Sequence, residues 1–346
     1  MRYLILLCLA VSISFSANAQ SNDSINTLIA KGVDFHEEGK YEKAVEIYDE
    51  ALKMDKYNVF ALYEKSFSLY AMQNFTEAIR VSEIAIKHNS GSATLKHVYT
   101  NYGNCVDLAG DKKKAIKVFD EALKLFPDYF HLYFNKGITL SRLEEFDKAL
   151  VCFQQSAMLN PKHASTHHVQ AKLLGMERAN IPAILVLGRF FILEPQGSRS
   201  KDNLEYLEAL ISANVKRTGD KAITISLSPP TKPKKKKEND FRTTELMLSM
   251  ISALDFDSTK ANKSKVELFK GKIDIICSSL KVGKKEKGFY WDYYAPYFIQ
   301  MEDKGFLETF SYLVYASTES AEVEDWLNNN EKQVESFYNW SSAYKW

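Results

Sequence analysis

Residues 25–58 read INTLIAKGVDFHEEGKYEKAVEIYDEALKMDKYN, and this stretch decides the fold. Gly32, Phe35, Gly39, Tyr41, Ala44, Tyr48 and Ala51 stand at its positions 8, 11, 15, 17, 20, 24 and 27. The pattern returns at a fixed period, which is the signature of a repeat architecture. Residues 59–92 keep Leu62, Leu69, Phe75, Ala78 and Ala85 at the same places. After a three-residue insertion, 96–129 has Gly103, Gly110, Ala115, Phe119, Ala122 and Pro127. Residues 130–163 have Tyr133, Gly137, Leu140, Phe146, Ala149, Phe153 and Pro161. A fifth, degenerate unit, 164–197, keeps Ala171, Leu174, Ala183, Leu187 and Pro195. Pro182 falls near the start of that unit's second helix, where proline is tolerated.

These residues resemble the tetratricopeptide repeat (TPR) family, in which each unit is a pair of antiparallel helices. The resemblance implies an all-α fold, a TPR solenoid of helical hairpins followed by a small helical C-terminal domain. Small residues at positions 8, 20 and 27 let helices approach. Large ones at 4, 11, 17 and 24 fill the remaining space, and proline at 32 ends the second helix because it breaks the hydrogen-bond ladder. TPR arrays generally bind protein segments on a concave surface lined by first helices. Positions 2, 5, 9 and 12 face that groove. In this sequence they give Tyr63, Phe67 and Tyr70, then Thr100, Asn104 and Asp107, then Phe134 and Ile138, then His168 and Lys172. Some members clamp a terminal carboxylate with Lys and Asn in the first unit. Ile29 and Val33 occupy those places here, so that mode has no support. A peptide or helix with an apolar anchor is the expected guest.

The leading segment reads as an address. Arg2, the apolar run 3–15 and Ala17-Asn18-Ala19 match a secretory signal peptide over residues 1–19, cleaved after Ala19. The run is too short for a membrane span, which needs roughly 20 residues, and no later run is long enough. A periplasmic or secreted location is therefore expected, and a bacterial periplasm fits best. Three Cys remain in the mature chain, Cys105, Cys152 and Cys277, so at least one is free. The 45 Lys and Arg against 44 Asp and Glu leave no basic surplus for a general nucleic-acid binder.

After the five units (20–197), residues 198–215 continue with Leu204, Leu207, Leu210 and Ile211 and read as a capping helix. Residues 216–239 read as a linker. Within it 222–228 alternates with a strand-like period of two, followed by Pro229, Pro230, Pro233 and the run Lys234 to Lys237. Composition favours an extended, solvated segment, and the lysines allow weak contact with anionic lipid. Residues 240–346 are expected to be a separate, aromatic-rich helical domain, for which no family resemblance is read. A helix is expected from Phe241 to Leu254. A second follows the capping box Ser264/Glu267 and buries Val266, Phe269, Ile273, Ile276 and Leu280. All four Trp lie after residue 288, and 289–298 is nearly all aromatic.

Enzyme motifs are absent. Six residues separate Gly32 from Gly39, not the four between the glycines of a phosphate loop, and the repeat already explains both. His163, His167 and His168 cluster, but His163 closes one unit while His167 opens the next helix, so a metal site is not expected. No cofactor is expected. The reading is a non-catalytic periplasmic scaffold that binds a protein or peptide, as part of an envelope-associated assembly. The alternative is an enzyme with an unrecognised catalytic tail acting on carbohydrate through Asp292, Glu302 and Asp303. The sequence places no two of these as an acid/base pair.

Overall fold

The computed structural model describes residues 23–219, 222–227, 238–256, 262–283 and 286–346. The expected leader and the Lys234 to Lys237 run lie outside these residues. Contacts divide the chain into two units, 1–152 and 153–346, each described in turn.

In the first unit the helices are α1 (residues 23–37), α2 (Tyr41–Met54), α3 (Val59–Ala71), α4 (Phe75–His88), α5 (Leu95–Leu108), α6 (Lys112–Leu125) and α7 (Phe130–Arg142). The boundary between units falls within α8 (Phe146–Leu159). Asn58, Asn74 and Asp111 cap α3, α4 and α6, each side chain accepting a backbone N–H of the first turn.

The spacing rules hold atom by atom. Ala44, Ala51, Ala78, Ala85, Ala115 and Ala122, at positions 20 and 27, are all fully buried. A Cβ on Gly32 would run into the Tyr48 ring, and one on Gly103 into Phe119, so position 8 must be small where position 24 is aromatic. Ion pairs repeat as well: Lys65–Asp49 and Lys136–Asp120, each 2.5 Å, occupy equivalent places two units apart.

Position 15 shows the hairpin most directly. Gly39, Gln73, Gly110 and Glu144, and Arg178 in the second unit, all adopt the left-handed conformation, with φ between 56° and 101°. In each case the next residue's N–H bonds back to a carbonyl five residues earlier: Lys40 to Phe35, Asn74 to Leu69, Asp111 to Val106, Glu145 to Leu140 and Ala179 to Leu174, at 2.8–3.1 Å. That closure satisfies the last carbonyls of each first helix and reverses the chain. Five such turns at one register identify five hairpins, including the degenerate one.

The second unit contains α9 (Ala164–Met176), α10 (Asn180–Leu193) and α11 (Ser198–Ser212). Then come the strands β1 (Val215–Arg217) and β2 (Ile223–Ile225), paired antiparallel with Val215 opposite Ile225. The period-two stretch thus forms a short hairpin with Val215, expected to end the capping helix, and with Lys216 and Arg217, expected to open the linker. Next follow α12 (Arg242–Ala253), α13 (Lys265–Val282), α14 (Ala295–Asp303) after a π-helical turn Tyr290–Tyr294, α15 (Leu307–Val314), α16 (Ala321–Asn329) and α17 (Glu331–Ala343). The Ser264/Glu267 capping box is present, and Val266, Phe269, Ile273, Ile276 and Leu280 are all buried.

Helix α10 is the axis of this unit. From Asn180 to Ile192 every residue is buried, as expected for a helix that is apolar apart from Asn180 and Arg189. The tail provides the cover. Phe298 and Phe310 pack against Gly188, where a Cβ would lie 2.6 Å from Phe298 Cζ. Arg189 donates from Nε to the Pro161 carbonyl at 3.2 Å and from Nη1 to Ser341 Oγ at 3.0 Å, beneath the rings of Tyr297 and Trp346. Tyr293 donates to the Ala157 carbonyl at 2.7 Å. Contacts therefore do not divide the chain at 216–239, and the tail shares one compact unit with the fifth repeat. The physical reason is the second apolar face of α10, which a repeat helix would normally leave to solvent.

Candidate functional site

The first helices of the first unit carry a connected row of rings. His36 of α1 stacks on Phe67 of α3 with centroids 4.9 Å apart. Phe67 stacks on Tyr63 at 6.1 Å, and Tyr63 meets His97 of α5 at 5.7 Å. His97 meets Tyr129 at 5.3 Å, and Tyr129 stacks on His131 of α7 at 5.1 Å. Tyr70 extends the row from Phe67, parallel at 6.4 Å. Helical spacing places Tyr63, Phe67 and Tyr70 on one face, because residues three and four apart are neighbours. The 34-residue period then sets His97 and His131 at the same position of successive units.

Most of these rings are partly open. Phe67 is 37% exposed, while Tyr63, Tyr70, His97 and His131 are half-buried. Burial lowers the affinity of His36 and His97 for a proton, and Lys96 adds to the effect at His97. Both imidazoles are thus neutral near pH 7. Burial raises the Tyr63 phenol to about 12 and also raises the Glu64 carboxyl. His36 and His97 thus add neutral, hydrogen-bonding rings to the row, and the Lys96 ammonium lies 5.2 Å over the Tyr129 ring. Ser68 Oγ lies 2.8 Å from His36 Nδ1, and Tyr129 Oη lies 3.0 Å from His97 Nδ1.

Other expected groove residues have different surroundings. Thr100 donates its hydroxyl to the Lys96 carbonyl at 2.7 Å, and Asn104 is half-buried beside it on α5. Asp107 is 5% exposed and accepts from Thr139 Oγ1 at 2.9 Å and Arg142 Nη1 at 2.5 Å. It acts as a tie between repeats, as does His36 toward Ser68, for both reach the neighbour's position 10. Phe134 and Ile138 are half-buried on α7.

His168 and Lys172 lie in the second unit, where α11 begins 34 residues after α9 and stands in the place of a sixth first helix. Its Asn203 hydrogen-bonds His168, and its Tyr206 ring lies 3.8 Å below the Lys172 ammonium. Both groove positions of the fifth unit are therefore engaged within the chain. His36, His97, Tyr129 and His131, absent from the expected set, join the row. His36, His97 and His131 fall at positions 12, 2 and 2, so the register already pointed to them.

The histidine cluster is built for packing. His163 Nδ1 lies 2.7 Å from Thr166 Oγ1. His167, fully buried, donates from Nε2 to the Pro161 carbonyl at 3.0 Å, which leaves Nδ1 to accept from the Tyr294 hydroxyl at 2.9 Å. Among the described residues no group of three or more His, Cys, Asp or Glu comes together to hold a metal. The tail acids are also engaged. Asp292 accepts the Gly288 N–H at 3.2 Å, and Glu302 and Asp303 both pair with Lys281. A shallow pocket of about 380 Å³ lies between Pro195, Leu313, Leu327, Val334 and Tyr338, and these three acids do not line it. Cys105, Cys152 and Cys277 are free and buried, and burial raises the Cys105 and Cys152 thiols to about 12 and about 11.

The fold is thus a helical-hairpin repeat array with an aromatic first-helix face. Residues 27–58, 97–129 and 130–163 match the family model of the tetratricopeptide repeat, and the chain carries TPR units. It is 28% identical over 142 residues to a probable UDP-N-acetylglucosamine–peptide N-acetylglucosaminyltransferase SPINDLY of Hordeum vulgare, covering 40% of this chain and 15% of that protein. It is 26% identical over 139 residues to human tetratricopeptide repeat protein 6, covering 40% of this chain and 26% of that one. The matches thus span about a quarter or less of these relatives. Among solved structures, Pseudomonas aeruginosa pilF is similar at 19% identity and a TM-score of 0.48, covering 56% of this chain and 91% of that chain. TTC0263 of Thermus thermophilus is similar at 18% identity and 0.45, covering 54% and 99%. Among the described residues no helix is long and apolar enough to cross a membrane.

Proposed function

We propose that this chain is a non-catalytic scaffold whose first-helix face, within residues 23–152, grips an uncharged segment of another protein. One observation carries the reading: the row from His36 to His131 links the first helices of four successive repeats, and its rings stay partly open. Aromatic side chains offer large contact area with few rotatable bonds, so they lose little entropy on binding. A peptide or short helix with an apolar or aromatic anchor fits the face better than a charged one, because His36 and His97 are neutral and the rings of α3 are uncharged. The engagement of Asp292, Glu302 and Asp303 in hydrogen bonds and ion pairs supports a role without catalysis. The leader 1–19 supports export and work in the periplasm, as part of an envelope-associated assembly. N-terminal analysis of the native protein should then begin at Gln20, and retention of Met1 would refute export.

The direct test places a photo-reactive phenylalanine at Phe67, or at Lys53 on the second helix α2, in native cells. A defined protein adduct should form from position 67 and not from position 53. Equal adducts from both, or none from 67, would refute the assignment of the binding face.

A further inference from the structure

Helix α12 is mounted with its apolar side outward. At about 100° per residue, Thr243, Leu246, Met247 and Met250 fall within an arc of about 100°, and all are exposed, Leu246 at 42% and Met250 at 57%. The buried face carries Thr244, Leu248, Ser249 and Ser252. Polar bonds fix this rotation. Thr244 shares a 2.8 Å hydrogen bond with Ser279, and Glu245 accepts from both Asn180 and Asn214 at 3.0 Å. Turning the helix inward would break all of them.

The outward face does not end with the helix. Leu254 and Phe256, just beyond it, are 49% and 46% exposed. In the neighbouring hairpin Ile223 and Ile225 of β2 are exposed too, as is Leu227 after it. Exposed large apolar side chains on adjoining elements mark an interaction surface. Charge points to the occupant. Residues 215–265 hold twelve Lys and Arg against six Asp and Glu, whereas the rest of the chain holds 33 against 38. Three of the six acids are already engaged, Glu245 with the asparagines, Asp255 with Lys272 and Asp240 with Arg242 at 3.5 Å. Arg242, Lys216 and Arg217, on the elements that carry the patch, are exposed.

We propose that α12 and the β1–β2 hairpin form a docking surface for an anionic lipid bilayer, with Leu246, Met250, Leu254 and Phe256 entering the headgroup boundary. Aliphatic side chains held outward on a stretch of chain whose sequence is rich in lysine and arginine are what an interfacial, non-spanning contact requires. This surface lies outside the aromatic row, and its fate is independent of the peptide-binding reading.

The test is co-sedimentation of the chain beginning at Gln20, which keeps every described residue, with two kinds of vesicle. One is phosphatidylcholine alone and the other contains phosphatidylglycerol. Binding should need phosphatidylglycerol and fall as salt rises. Leu246→Ser with Met250→Ser should lower the partition coefficient roughly tenfold or more, since each apolar group withheld from the bilayer weakens it. Arg242→Gln with Lys216→Gln should lower it several-fold, while far-ultraviolet helicity stays unchanged in both variants. No binding to phosphatidylglycerol vesicles, or equal binding of the Leu246/Met250 variant, would overturn the proposal. So would lipid-free self-association of the parent that this variant abolishes, since the face would then join two copies of the chain.

Discussion

His167 of α9 and Tyr294 of the tail's π-helical turn share a buried hydrogen bond of 2.9 Å. Burial and the nearby Arg189 push the His167 pKa from 6.5 down to about 3. The unfolded chain therefore takes up a proton first. Stability from this group is complete above pH 6.5 and is lost as the pH falls from there toward 3, by about 1.4 kcal/mol per pH unit. The lowered pKa values of His36, His97, His163 and His168 act in the same direction. Urea unfolding between pH 7 and 4 should show the decline, and His167→Gln should flatten it. Equal slopes in both proteins would contradict the assignment.

The packing around α10 predicts opposite outcomes for two glycine substitutions. Gly188→Ala places a methyl against Phe298 and Phe310 and should cost about 1–3 kcal/mol. Gly271→Ala, on the exposed side of α13 with no atom within 4 Å of the added Cβ, should stabilise by about 0.5–1 kcal/mol. Both are read from denaturation midpoints.

The left-handed turns predict gains. Gln73, Glu144 and Arg178 hold a conformation that favours glycine and that Gly39 and Gly110 adopt without strain. Each change to Gly should raise stability by roughly 0.5–1 kcal/mol, within the cost of a left-handed residue bearing a Cβ. A loss in all three would show that these turns are not the strained points of the array.

Sharing of one unit by the fifth repeat and the tail predicts that the fragment 240–346 does not fold alone. Tyr290, Tyr294, Phe298 and Phe310 would lose their partners on α9 and α10. Circular dichroism of that fragment should show little helix and no cooperative transition, whereas 153–346 should show both. A cooperative transition in 240–346 would restore an independent domain.

The repeat was legible because its spacing is written in residue size: alanine at positions 20 and 27, and glycine facing an aromatic at 8 and 24. The α13 capping box was equally local. The union of tail and fifth repeat is invisible to unit-by-unit spacing, although Asn180–Leu193, apolar apart from Asn180 and Arg189, signals it. The fifth unit looked degenerate because its second helix serves two neighbours. The register named the groove but not its state. Asp107 was expected at the binding face, but the matching hydroxyl of Thr139 and the guanidinium of Arg142 claim it, a pairing between repeats that no single unit displays. Asp107→Ala should accordingly lower stability, by about 1–3 kcal/mol, because it leaves Arg142 and Thr139 without their partner.

The aromatic row itself is tested by selecting peptides from a phage-displayed random library on the chain beginning at Gln20, then measuring their affinity by calorimetry. Replacing Tyr63 and Phe67 with Ala should weaken the selected peptides by about 1–3 kcal/mol, or roughly ten- to a hundredfold, with helicity retained. Unchanged affinity in that folded variant would contradict the claim that this face binds.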